Sequence, residues 1–259
     1  MDAETDAGII RREPVTVERI SLLKVPLDIL PPEAMEAKIH ALAKTGKAQN
    51  IVLLSLWDLL RARRNGEYRS YVQSAALVIP VSKSLIGGAK FITGKTPVRY
   101  MPFDFVIRLL DILEMREYTS YLLGGKKSIL QKAEKNIRQT FPKLRIVGRY
   151  IGRFERQNEA TILEAIRKAS PTLLLVGKGV RGREKWLARR NAQLNQGLRL
   201  WCSDLFDVFA ERRKRPSPGV FKRGWEWIGF CFRSPLRIFR IFPFFYYKLL
   251  LLFYRIFVK

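Results

Sequence analysis

From Glu18 onward, apolar residues fall into short continuous runs that alternate with longer stretches of helical spacing. Ile20 to Val25 reads as a strand. Pro31-Pro32-Glu33 opens a helix that runs to about Lys44, because proline suits a first helical turn. Ile51 to Leu56 is an unbroken apolar run, the pattern of a strand covered on both faces. A helix follows over Leu59 to Val72, then a short buried strand over Ala76 to Pro80. Helical spacing returns at Asp104 to Arg116, Ser128 to Thr140, Asn158 to Ala169 and Gly182 to Asn195. Strands are predicted at Thr119 to Leu123, Leu144 to Val147, Thr172 to Val176 and Leu198 to Trp201. Two of them end in glycine turns, Gly124-Gly125-Lys126-Lys127 and Gly177-Lys178-Gly179. Repeated strand–helix units with short links predict an α/β fold, a mostly parallel sheet flanked by helices. The chain has no internal repeat.

The pattern changes after about residue 205. Glu211-Arg212-Arg213-Lys214-Arg215-Pro216-Ser217-Pro218-Gly219 is a basic, proline-containing hinge, followed by Trp225, Trp227 and a dense run of Phe, Leu and Tyr to Lys259. The predicted organisation is a flexible leader over 1–17, a body over 18–205 and a helical appendage over 206–259. Ile241 to Tyr254 carries one charge, Lys248. Fourteen helical residues rise about 21 Å, short of the roughly 30 Å hydrocarbon core. On a helical wheel Arg233, Arg237, Arg240, Lys248, Arg255 and Lys259 fall within an arc of about 100°. That is the pattern of a helix lying in a membrane interface with its cations towards anionic head groups. Pro243 can split it into two shorter helices, and a buried C-terminal helix pair and a true transmembrane span are the competing readings. On the interfacial reading, deleting residues 236–259 abolishes vesicle binding.

Composition narrows the chemistry. The 259 residues hold 48 Lys and Arg against 23 Asp and Glu, a net charge of +25. This predicts an anionic partner: nucleic acid, lipid head groups or a phosphorylated substrate. No nucleic-acid motif is present, and the aromatics gather in the apolar tail, so nucleic acid is not expected. A lone histidine, His40, and two cysteines, Cys202 and Cys231, supply neither a metal centre nor a disulfide framework. Met1-Asp2-Ala3-Glu4-Thr5-Asp6 is acidic and lacks the apolar core of a secretory signal, which predicts a protein that stays on the cytoplasmic side.

Several segments in order resemble the WecG/TagA/CpsF family, glycosyltransferase family 26, over roughly residues 18–242. They are Tyr121-Leu122-Leu123-Gly124-Gly125-Lys126, Phe141-Pro142-Lys143-Leu144-Arg145-Ile146-Val147-Gly148, and Leu174-Leu175-Val176-Gly177-Lys178-Gly179 with Glu184-Lys185-Trp186. Phe206-Asp207-Val208, Lys214-Arg215-Pro216, Gly224-Trp225-Glu226-Trp227 and Pro235 with Arg237 and Arg240 follow. The resemblance implies a Rossmann-like body and the transfer of an N-acetylhexosamine from a UDP-sugar to a polyprenyl-diphosphate-linked saccharide in cell-envelope polysaccharide assembly. It implies inversion at the anomeric carbon, no metal and no cofactor. It also implies peripheral attachment to the cytoplasmic face of the cell membrane, with the appendage bringing arginines to the lipid diphosphate. Nucleotide-sugar contacts are then expected from Ser55, Arg99, Gly124, Gly125, Gly177, Gly179, Glu184 and Lys185. Lipid-diphosphate contacts are expected from Arg215, Arg237 and Arg240, whose planar forks suit paired phosphate oxygens. Tight strand–helix turns are the alternative role for the glycines, and a solvated face is the alternative for the charged residues. A homo-oligomer is left open.

Four departures from the family pattern bear on catalysis. The family's Leu-Pro-Asp-Gly aspartate, its proposed general base, is replaced by Val81 in Val78-Ile79-Pro80-Val81-Ser82-Lys83. Ser55-Leu56-Trp57 stands where the family has Thr-Leu-Asn, and Arg183 where it has Gln; an arginine near Gly229-Phe230 is missing. Arg99 and Asp104 match, with Pro102 replacing a glycine between them. Asp58 and Asp104 are the carboxylates nearest in sequence to take the base's role, although Asp104 also suits the cap of the helix that starts there. The remaining alternative is a homologue without activity that acts as a membrane-bound binding or scaffold protein.

Overall fold

A computed structural model describes residues 17–214, 219, 221 and 241–257. Six parallel strands form the central sheet: β3 (Gln49–Leu54), β4 (Leu77–Pro80), β5 (Thr119–Leu123), β6 (Arg145–Tyr150), β7 (Leu173–Val176) and β8 (Leu198–Trp201), in the order β4-β3-β8-β7-β5-β6. β4 and β7 are buried along their whole length, which accounts for their continuous apolar runs. One face of the sheet packs on α1 (Met35–Lys44), α5 (Pro102–Met115), α6 (Lys127–Thr140) and α9 (Leu205–Phe209). The other packs on a hairpin, α2 (Leu56–Arg64), α3 (Gly66–Gln73), α4 (Lys83–Thr93), α7 (Glu159–Ala169) and α8 (Glu184–Arg189). The body therefore continues through α9, whose Leu205, Phe206 and Phe209 are core residues.

The first element departs from the predicted single strand. Residues Glu18–Leu22 (β1) and Val25–Ile29 (β2) form an antiparallel hairpin beside the main sheet. Leu23 and Lys24 turn the chain with φ of 53° and 66°, the positive values that a two-residue hairpin turn needs. Neither residue is a turn former, so the sequence conceals the reversal. Asp28 fastens the hairpin: its buried carboxylate accepts two hydrogen bonds from Arg19 (2.7 and 2.8 Å) and one from the Val78 N–H of β4 (2.6 Å).

Other boundaries moved for local reasons. The predicted helix over 59–72 is two helices, because Asn65 leaves helical geometry and its side chain accepts the Tyr68 N–H at 2.8 Å. Helix α4, which holds Gly87 and Gly88 in its interior, was not predicted. The helix expected over 182–195 is short, Glu184–Arg189, with turns after it. At α5 the cap is Met101, whose side chain makes no capping bond, with Pro102 in the first turn; Asp104 lies inside that turn rather than at the cap.

The C-terminal helix α10 (Ile241–Phe257) docks on α4. Tyr247 and Leu251 enter the core, and the Tyr247 hydroxyl donates to the Ser84 carbonyl at 3.1 Å. Burial pushes that phenol well above the usual tyrosine range. Gly88 makes the fit: a Cβ there would lie 1.9 Å from the Tyr247 oxygen. The opposite side is uncovered. Phe242, Phe245, Tyr246, Leu249, Leu252, Phe253, Ile256 and Phe257 are all exposed, a single apolar arc of about 140° at helical spacing. Of the six cations predicted to share one stripe, Lys248 and Arg255 are described, and neither lies on this arc. Lys248 borders a large cavity, and the Arg255 guanidinium stacks 4.4 Å from the Phe91 ring. No helix among the described residues is long and apolar enough to cross a membrane.

Candidate active site

A cavity of about 1120 Å³ opens at the carboxyl ends of β3, β4 and β8. β3 continues towards β4 on one side, while β8 continues into α9 beside α6 on the other. The chain thus diverges between two neighbouring parallel strands, the switch point at which open α/β sheets bind ligands. The wall comprises the start of α2 (Ser55 to Asp58), the β4–α4 turn (Val81 to Ser84), the residues before and at the start of α5 (Met101 to Phe103), the β8–α9 turn (Cys202 to Leu205), and Phe244 and Lys248 of α10. Arg61, Lys83, Arg99, Arg183, Arg213, Lys214 and Lys248 line it, against Asp58, Glu184 and Asp204. This surplus of positive charge in a partly apolar recess suits a phosphorylated ligand.

Each wall carboxylate carries an arginine. Asp58 and Ser55 form a capping box at the start of α2: the Ser55 N–H and hydroxyl donate to Asp58 Oδ2 at 3.0 and 2.5 Å. Arg61 Nη2 donates to Asp58 Oδ1 at 3.0 Å and also pairs with buried Glu184. Its guanidinium lies 3.6 Å over the Tyr68 ring. Desolvation works against the Arg61 charge, but Tyr68, Glu184 and Asp58 outweigh it and hold the guanidinium above its ordinary value. Asp204 pairs with Arg213. Arg61→Met should therefore destabilise the fold by about 2 kcal/mol, below the range for a fully buried pair because Arg61 keeps a third of its surface in solvent. Glu184→Gln in that background should recover part of the loss in a thermal melt; no recovery would mean that the ion pair is not what Arg61 supports.

The sequence-derived residues divide. Ser55, Asp58, Arg99 and Glu184 line the cavity together. Arg99 donates from Nε to the Val81 carbonyl at 2.9 Å and stacks 3.8 Å from Phe221, so it fixes the turn that carries Val81. Val81 itself lines the wall, where a carboxylate would face the cavity. Asp104 is exposed just outside it, next to wall residue Phe103. Lys185 is bonded to Glu67 at 3.0 Å, and Arg189 joins that clamp between α8 and α3. Arg215, Arg237 and Arg240 lie outside the described residues.

Gly124, Gly125, Gly177 and Gly179 do not line the cavity. They gather at the ends of β5 and β7, where Gly124 has φ 145° and a Cβ on it would lie 2.8 Å from the Gly177 backbone. The Gly124, Gly125 and Gly177 N–H groups donate to the carbonyls of Tyr150, Lys178 and Leu123. The Phe206 ring closes over Gly177, and Asp207 beside it pairs with Lys178. These motif residues interlock two strand ends. Gly124→Ala should cost about 3 kcal/mol, since backbone on both sides cannot give way. The melting temperature should fall by about 6–12 °C; an unchanged melt would contradict the packing.

Trp57, Ser82, Lys83, Asp204 and Lys248 also line the cavity and were not among the site residues expected from the sequence. Four of them follow a strand's carboxyl end, a positional signal that the sheet order makes readable. Lys248 carried no such signal. Cys202 lines the wall too, but burial, with Asp204 adding to it, pushes its thiol up to about 12, which disfavours the thiolate.

Residues 20–259 match the Glycosyl transferase WecG/TagA/CpsF family, and the chain belongs to that family. It is 20% identical over 176 residues to the N-acetylglucosaminyldiphosphoundecaprenol N-acetyl-beta-D-mannosaminyltransferase of Bacillus subtilis (strain 168), covering 68% of each chain. It is 21% identical over 185 residues to the protein of the same name from Staphylococcus aureus (strain MW2), covering 70% of this chain and 72% of that one.

Proposed function

We propose that this protein transfers an N-acetylhexosamine from a UDP-sugar to a polyprenyl-diphosphate-linked saccharide at the cytoplasmic face of the cell membrane, in cell-envelope polysaccharide synthesis. One observation carries the reading: the cation-lined cavity at the switch point shares a wall with α10, whose outer face is wholly apolar. A water-soluble nucleotide and a lipid-borne acceptor can meet only where a polar cleft borders a bilayer. The apolar arc of α10 would rest in the interface, while Phe244 and Lys248 stay at the cleft.

In this reaction the acceptor hydroxyl oxygen forms a bond to the anomeric carbon as the carbon–oxygen bond to UDP breaks. UDP leaves with the bonding electrons, and attack from the opposite face inverts the centre. The hydroxyl proton passes to a wall carboxylate, and Asp58 is the one that sits beside the family's base position. Lys83, Arg99 and Arg183 offset the charge that develops on the departing diphosphate. Arg183 stands with φ 55° and ψ −134° at the start of α8, a strained conformation of the kind found at binding sites. We place Ser55 and Glu184 with the donor, and Arg215, Arg237 and Arg240 with the acceptor diphosphate.

Incubating the protein with radiolabelled UDP-N-acetylhexosamines and vesicles carrying a polyprenyl-diphosphate N-acetylhexosamine should bring label into the lipid extract. Val81 in the wall favours a second reading, a homologue that binds these ligands without turnover. Donor binding with no label transferred from any of the sugars would select it.

A further inference from the structure

A second cavity, about 350 Å³, lies between the β1–β2 turn, the α2–α3 region and the outer flank of α10. Lys24, Arg63 and Arg69 line one side; Leu250, Phe253 and Tyr254 line the other. No acid lines it. Arg63 donates to the Leu23 carbonyl at 2.9 Å, and Arg69 Nε donates to the Ala62 carbonyl at 3.0 Å, so both guanidinium groups are anchored to backbone. A guanidinium has five N–H donors, which leaves several on each for a ligand. Lys24 is exposed and makes no hydrogen bond or ion pair with a described residue. Phe253 belongs at once to this cavity and to the exposed apolar arc.

Three cations next to an apolar surface that is itself open to the outside match one ligand chemistry: a phosphate joined to acyl chains. We propose that this pocket holds the phosphate of an anionic phospholipid head group, its chains running along Phe253 and the exposed arc. The site is separate from the large cavity, which lies along the Phe244–Lys248 flank of the same helix. It rests on the reading of α10 as an interfacial helix. It would make the β1–β2 hairpin a second contact with the bilayer and fix the rotation of the body about α10.

Sedimentation of the full-length protein with vesicles tests this. Phosphatidylcholine alone is compared with phosphatidylcholine containing about 2 mol% phosphatidylglycerol, a fraction too low for a large mean surface potential. The expected result is tighter binding to the second kind. Lys24→Gln should reduce that gain roughly 5-fold, and Lys24→Gln with Arg63→Gln further, with binding to neutral vesicles unchanged. Lys24→Arg should keep it. Lys47→Gln, an exposed charge before β3 at the far end of the sheet, should also keep it. The proposal is overturned by a gain that survives in Lys24→Gln and in Lys24→Gln with Arg63→Gln, by an equal loss in Lys47→Gln, or by displacement with millimolar glycerol phosphate, which would make the ligand a free phosphate. No sedimentation with either kind of vesicle would instead overturn the interfacial reading beneath it.

Discussion

Asp58→Asn should lower turnover by about 10²- to 10⁴-fold, the usual contribution of a general base, while the KM for the donor changes only a few-fold. The carboxylate lies one turn into α2, directly after the carboxyl end of β3, and it lines the cavity. Its neighbour across the sheet is the end of β4, paired Leu54 to Pro80, and the Val81 N–H donates to the Leu54 carbonyl at 2.9 Å. The residue that is valine here and aspartate in the family pattern therefore sits beside the Ser55–Asp58 box. Asparagine can still accept from Ser55, so the cost to the fold should be about 1 kcal/mol. Val81→Asp in the Asp58→Asn background should restore part of the rate, because it returns a carboxylate to the same wall. Asp58→Asn with full activity would move the base elsewhere. A wild-type protein without turnover that gains it through Val81→Asp would establish that the natural chain binds but does not transfer.

Replacing Leu249, Leu252 and Ile256 together with glutamate should weaken vesicle binding at least about 100-fold. Full burial of one such side chain is worth about 1.5–3 kcal/mol, so even half-immersion of three amounts to several kcal/mol. The three positions are 65%, 51% and 61% exposed and do not touch the docking face formed by Tyr247 and Leu251. The melting temperature should consequently stay near wild type while sedimentation is lost. Removing residues 236–259 is a less clean experiment, because it also strips Tyr247 and Leu251 from the core and uncovers Gly88. If the triple variant still sediments with vesicles, the apolar arc is not the membrane contact.

The two experiments address the two halves of one geometry. α10 presents Phe244 and Lys248 to the cleft, Tyr247 and Leu251 to α4, and its outer arc to the surroundings. Since one helix carries all three faces, the proposed seating of its arc in a membrane interface would also set the height of the cleft above the bilayer.

Apolar runs such as Leu173–Val176 and Leu77–Pro80 determined by themselves that the chain forms a parallel sheet, since only strands covered on both faces are apolar throughout. The glycine turns and the basic, aromatic tail were equally legible, because composition and period-specific spacing are local properties. What remained hidden depended on partners far away in the chain. The Leu23-Lys24 reversal is held by Asp28 bonding to Val78, fifty positions on. The glycines expected to meet the nucleotide-sugar face one another instead, because β5 and β7 are neighbours in the sheet, which no spacing reveals. Lys248 comes to a cavity built some 160 residues earlier because Tyr247 finds the notch at Gly88. Local periodicity decided which elements form; the pairing of side chains across the sheet and the helix interface decided which of them meet.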